Sequence, residues 1–177
     1  MSGMKSFLIG VGAMVAAILG LAPVLAQTSS LKGHNSNAPV DVAADRIEVQ
    51  DRADRAIFSG NVVVRQAELQ LNAPRLTVAY SSKGGIEIDR IDASGGVTVR
   101  SPSETARGQF AVYDLDSKLI TMIGGVTLIR GESRVNGGRL VIDLNTGRAV
   151  MEGGPPSGVN SEGGRVTGTF TVPQRRE

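Results

Sequence analysis

The sequence predicts an all-β fold built from repeated antiparallel strands, and three observations carry that expectation. Short runs rich in Val, Ile and Thr alternate apolar with polar residues. Related stretches recur along the chain at near-constant spacing. Turn residues separate the runs, with 23 glycines among 177 residues. Beyond the apolar start, no segment shows a sustained helical period.

The repeat is marked by Gly60, Gly95, Gly124 and Gly153, spaced by 35, 29 and 29 residues. The first three are followed by Asn61-Val62-Val63-Val64, Gly96-Val97-Thr98-Val99 and Gly125-Val126-Thr127-Leu128. A small residue lies 13 positions after each: Ala73, Gly108 and Gly137. Asp114-Leu115-Asp116-Ser117 and Met122-Ile123-Gly124-Gly125 return as Asp143-Leu144-Asn145-Thr146 and Met151-Glu152-Gly153-Gly154. Self-similarity at this period indicates stacked units, none able to bury its apolar face alone.

The overlay also sets which face points inward. It aligns Leu76, Val78 and Tyr80 with Ala111, Tyr113 and Leu115 and with Leu140, Ile142 and Leu144. Those positions, with Val62, Val64, Val97, Val99, Val126 and Leu128, are expected inside. Val40 and Val42 flank Asp41 in the same alternation. Phe110, Val112, Thr98 and Thr127 are expected on the outer face. The period of a strand is two, so a one-residue slip would invert every assignment.

The chain starts with Lys5 and an apolar run from Phe7 to Leu21, then Pro23-Val24-Leu25-Ala26. This pattern predicts a signal peptide over 1–26, cut after Ala26, with an uncleaved anchor as the alternative. Residues 27–38 read as a flexible leader that holds the only histidine, His34, as a solvated side chain. Residues 174–177 read as a disordered tail.

Composition narrows the function. With 19 basic against 17 acidic residues the chain lacks the basic surface that nucleic acid requires. Cysteine is absent, and aromatics are 3% of the chain. A nucleophilic thiol, a zinc cluster and a G-x-S-x-G elbow are all missing, so no enzymatic activity, metal or cofactor is expected. Asp114-x-Asp116 and Asp143-x-Asn145 start like calcium loops but lack the later glycine and glutamate, so they read as turns.

Asp45-Arg46-Ile47-Glu48-Val49, Ala56-Ile57-Phe58-Ser59-Gly60-Asn61-Val62-Val63-Val64 and Leu69-Gln70-Leu71-Asn72-Ala73-Pro74-Arg75-Leu76 resemble the LptA/OstA-like family of lipopolysaccharide-transport proteins. The resemblance spans about residues 39–173, including Arg165-Val166-Thr167 to Thr171-Val172-Pro173. It implies an OstA-like β-jellyroll open at both ends, in the periplasm, bridging the inner- and outer-membrane export complexes. The implied partners are lipopolysaccharide through its lipid A moiety, an LptC-like inner-membrane complex, an LptD-like outer-membrane translocon and further copies in a head-to-tail homo-oligomer. The implied lipid contacts are the inward residues: Val40, Val42, Val62, Val64, Leu76, Val78, Val97, Val99, Tyr113, Leu115, Val126, Leu128, Leu140 and Ile142. Unpaired edges for assembly are expected at Val40 to Val49 and at Arg165 to Val172. A membrane-anchored LptC-like component and a purely structural stacking protein with a filled interior are the alternatives.

Overall fold

The computed structural model describes residues 34–82, 84–154 and 164–171. The expected signal peptide and the charged tail lie outside them. The described residues form β1 (Asp41–Ala43), β2 (Arg46–Gln50), β3 (Arg55–Gln66), β4 (Leu69–Ser81), β5 (Glu87–Arg100), β6 (Glu104–Asp114), β7 (Leu119–Arg130), β8 (Ser133–Asp143), β9 (Arg148–Glu152) and β10 (Thr167–Thr169). All ten join one antiparallel sheet that does not close. Strands β3 to β8 are neighbours in sequence and in space, which minimises loop-closure cost.

The register explains the shape. Pairing slips between Ser59 and Val62, Asn72 and Arg75, Ser94 and Val97, Arg107 and Phe110, and Ile123 and Val126. Each slip is a bulge, and bulges bend strands. Because they line up across the sheet, every long strand bends at one level. The sheet therefore folds over along a seam into two leaves. The first leaf holds β2, β9 and the stretches around Ala56, Val78, Ile91, Tyr113, Ile120 and Ile142. The second holds β1, β10 and the stretches around Val64, Leu71, Val99, Ala106, Leu128 and Val135.

The repeat glycines are the corners. Gly124 has φ +87°, and a Cβ there would lie 2.7 Å from Gln109 Cβ. Gly95 has φ +92° and would place its Cβ 3.1 Å from the Pro74 ring. Only glycine meets both the left-handed backbone and the crowding. The small residues that follow sit opposite: Ala73 pairs with Val62, Gly108 with Val97 and Gly137 with Val126. One repeat is thus one descending and one ascending strand with a corner in each.

Both edges are strands split at the seam. β1 and β2 pair with β3 on either side of Asp45, whose N–H donates to Gly60 O at 2.9 Å. β9 and β10 pair with β8 in the same way. The expectation of one edge strand from Arg165 to Val172 is corrected here. Of that segment's described residues only Thr167–Thr169 are strand, and Arg148–Glu152 supplies the rest of the edge. A bent β8 cannot pair along its whole length with one straight strand, so the chain leaves at Gly153 and returns later.

The calcium-like acidic pairs cap turns. Asp114 Oδ1 accepts from Ser117 N–H at 2.7 Å, and Asp143 Oδ1 accepts from Asn145 N–H at 2.8 Å. The Ser117 backbone N–H holds the Asp114 carboxyl below its ordinary value. The Thr146 side chain does the same for Asp143.

Candidate lipid groove

Directly opposed residues on paired strands share a face, so inner residues line up in rows across the sheet. In the first leaf one row runs Val49, Ala56, Val78, Ile91, Tyr113, Ile120, Ile142, Ala149. The next runs Ile47, Phe58, Leu76, Ala93, Ala111, Met122, Leu140, Met151. In the second leaf a row runs Val42, Val64, Leu71, Val99, Ala106, Leu128, Val135, Gly168. The two leaves pack face to face, and their inner rows form one continuous apolar core.

Of the residues singled out from the sequence, Val62, Val64, Leu76, Val78, Val97, Val99, Tyr113, Val126, Leu140 and Ile142 are buried in this core. Val40, Val42, Leu115 and Leu128 are half-buried against it. Phe110 is on the outer face and 50% exposed. Ile91, Ala93, Ile120 and Met122 belong to the same rows and were not singled out. For Ile91 and Ala93 the cause is a slip between Ala79 and Tyr80 that makes Asp89 an extra residue. The slip shifts the inward phase that Ile86-Glu87-Ile88 suggests. Ile120-Thr121-Met122 carries a clear alternation that would have found the other two.

The apolar inner face runs out into the open at both edges. Ile47 and Val49 face inward from β2 and are each 56% exposed. Val166 and Phe170 flank β10 in the phase of Gly168, which is the inward one, and are 44% and 53% exposed. Between the edges the interior is filled by its own side chains. The void among Val64, Leu71, Ile91, Val99, Tyr113 and Ile120 measures about 20 Å³, the room of one water.

Away from the seam the inner face of the second leaf turns polar. Gln66 and Glu104 are buried, 3% and 5% exposed. Glu104 accepts from the Arg130 guanidinium across the β6–β7 pair. Gln66 Oε1 accepts from Tyr113 OH at 2.9 Å and so ties the two leaves together at the rim. Its amide donates to Ser36 O at 2.9 Å and to Ala38 O at 3.0 Å. The expected solvated histidine is corrected: the His34 side chain is 1% exposed, with Nε2 3.1 Å from Gln66 Oε1. The described part of the leader is a strap laid over the rim, held because Gln66 offers both a donor and an acceptor to it. The signal was present in the sequence, since Gln66 and Glu104 are polar residues in an inward phase. Burial raises the Tyr113 phenol above its ordinary value, against the bonds from Ser36 and Gln66.

An open, folded-over sheet with this register is a known architecture. A family model described as LptA/(LptD N-terminal domain) LPS transport protein matches residues 41–148. The chain belongs to that family of lipopolysaccharide-transport proteins. An uncharacterised protein of Rhizobium meliloti (strain 1021) is 32% identical over 152 residues, 81% of each chain. The crystal structure of LptH from Pseudomonas aeruginosa superposes with a TM-score of 0.68 at 19% identity, covering 78% of this chain and 99% of that one. LptH is described as the LptA-homologous periplasmic component of the conserved lipopolysaccharide-transport device. For this LptA-like chain that likeness establishes the fold, and the family establishes the transport class.

Proposed function

We propose that this protein is a periplasmic bridge for lipopolysaccharide, carrying the acyl chains of lipid A between its two leaves. The observation that carries the reading is the apolar inner face, which runs from edge to edge and stays half-exposed at Ile47 and Val49 on β2 of the first leaf and at Val166 and Phe170 beside β10 of the second. A core that served folding alone would end its rows under cover. Each methylene moved from water into such an interior contributes about 0.8 kcal/mol, so several acyl chains bind without polar chemistry. The filled interior requires the leaves to part during loading. Bending at the seam and release of the Gln66–Tyr113 bond at the rim would allow it.

Head-to-tail copies, an LptC-like donor and an LptD-like acceptor fit the same geometry. Two different unpaired edges meet heterologously, and the contact propagates. The inner rows of successive copies would then join end to end.

A photo-crosslinking residue at Val42, Val99 or Leu115 is expected to capture lipopolysaccharide in living cells, with far less capture at Thr98 or Val112. The void of about 20 Å³ favours the competing reading, a structural protein with a permanently filled core. Absence of capture at every inward site would establish that reading and refute the transport one.

A further inference from the structure

We propose that the outer face of the second leaf binds an acidic glycan chain, independently of what the interior holds. Arg65, Arg100, Arg107 and Arg134 stand on this face from β3, β5, β6 and β8, all exposed. Cross-strand pairing puts them in two adjacent rows. Arg65 pairs with Gln70, which pairs with Arg100, while Thr98 pairs with Arg107 and Arg134 pairs with Ile129. At about 4.8 Å per strand the track spans about 24 Å, the length of an extended chain rather than of one small ion.

The contrast with the first leaf isolates the feature. On that outer face three of the cations form ion pairs, Arg46 with Glu48, Arg90 with Asp92 and Arg139 with Glu152, while Arg55, Arg75 and Arg148 form none among the described residues. On the second leaf none of the four arginines forms an ion pair among the described residues. Asp41 is the one acid its outer strand positions carry, at the edge opposite Arg65. Glu68 and Glu132 sit in the turns at the rim. A chain that is almost neutral as a whole therefore concentrates uncompensated positive charge on one surface.

The face also has a recess. Asn61, Val63, Asn72, Pro74, Gly96 and Thr98 line an open cavity of about 420 Å³ against the seam. Asn72 Oδ1 accepts from Arg100 Nη1 at 3.4 Å, tying a guanidinium to the recess wall. Thr127 and Asn136 continue the polar row beyond Arg107, with Thr127 Oγ1 donating to Asn136 Oδ1 at 2.9 Å. Guanidinium forks suit carboxylate, sulfate or phosphate groups, and amides and hydroxyls between them suit sugar hydroxyls. The outward positions of the second leaf carry no aromatic on which a nucleic-acid base could stack. Val63 and Ile129 are too little apolar surface for a bilayer. The recess lies at the seam, away from the rim where a lipid held between the leaves would emerge, so the glycan is a separate molecule.

The test is calorimetric titration of the whole protein with dextran sulfate and with neutral dextran of equal length. Binding is expected only for the acidic polymer. Arg100→Ser with Arg107→Ser should weaken it about tenfold or more. Arg75→Ser with Arg148→Ser, on the other leaf, should leave it unchanged. All four positions are exposed, and unaltered melting of both double variants shows that each remains folded. Equal loss in the two double variants, no binding at all, or equally tight binding of poly-glutamate would overturn the proposal.

Discussion

The seam and the rim of this sheet are built from opposite materials. At the seam the chain relies on backbone: bulges in register, left-handed glycines and small residues facing the bend. At the rim it relies on side chains, with Gln66, Tyr113, Glu104, Arg130 and the strap around His34 joined by hydrogen bonds that can break and re-form. A hinge needs this arrangement. The bend must keep its geometry while the opposite side opens, and hydrogen-bonded side chains yield at lower cost than a packed backbone corner. Substitutions at the seam should therefore act on folding, and those at the rim on opening.

The largest expected effect separates two glycines of similar backbone. Gly124 at the seam and Gly131 in the β7–β8 turn at the rim both have positive φ, +87° and +56°. A Cβ at Gly124 meets Gln109, while nothing lies within 4 Å of one at Gly131. Gly131→Ala should cost about 1 kcal/mol for the left-handed backbone alone. Gly124→Ala should cost about 3 kcal/mol, because crowding is added to the same conformational strain. Urea unfolding of the two variants measures the gap. Equal losses would mean that the seam is no tighter than a turn.

Much of this contrast is legible in the sequence, and the missing part has one cause. Gly60, Gly95 and Gly124 announce the corners because backbone constraints select residue types locally. The inward face is legible where alternation survives, as at Val97-Thr98-Val99, and is lost at Asp89, where a bulge changes phase without leaving a mark in composition. His34 reads as solvated because its partner Gln66 is 32 residues away, and hydrogen bonds across that distance have no local pattern. Arg65, Arg100, Arg107 and Arg134 look scattered for the same reason. They become a surface only when the register of five strand pairs is known. The C-terminal edge is misread because the split of β9 from β10 follows from the bend of β8.

A smaller effect is expected at the inner rim from Glu104→Gln. Glu104 is buried and Arg130 is a third exposed, so the variant leaves a cation that water still reaches in part. Removing one partner of a fully buried pair costs about 3–5 kcal/mol, and the exposure of Arg130 should reduce this to about 2 kcal/mol. If the rim is the opening side, the same variant should load lipid faster while melting earlier. Lower stability with unchanged uptake would confine the pair to a structural role.

The smallest effect is the one that isolates the leaf-to-leaf bond. Tyr113→Phe keeps the ring in its row and removes only the hydroxyl that donates to Gln66. The loss at neutral pH should be about 1 kcal/mol, the net worth of one neutral hydrogen bond. The pH dependence gives the sharper reading. The phenol is raised in the folded state because burial disfavours phenolate. The folded state therefore holds the proton more tightly than the unfolded one. Its contribution is complete below the ordinary tyrosine range and declines as pH rises through and beyond that range. Stability curves of the wild type and Tyr113→Phe should run parallel from pH 6 to 9 and converge above about pH 10, where the wild type alone loses this term. Curves that stay parallel into alkali would show that the Tyr113 hydroxyl titrates as in the unfolded chain and that burial does not raise it.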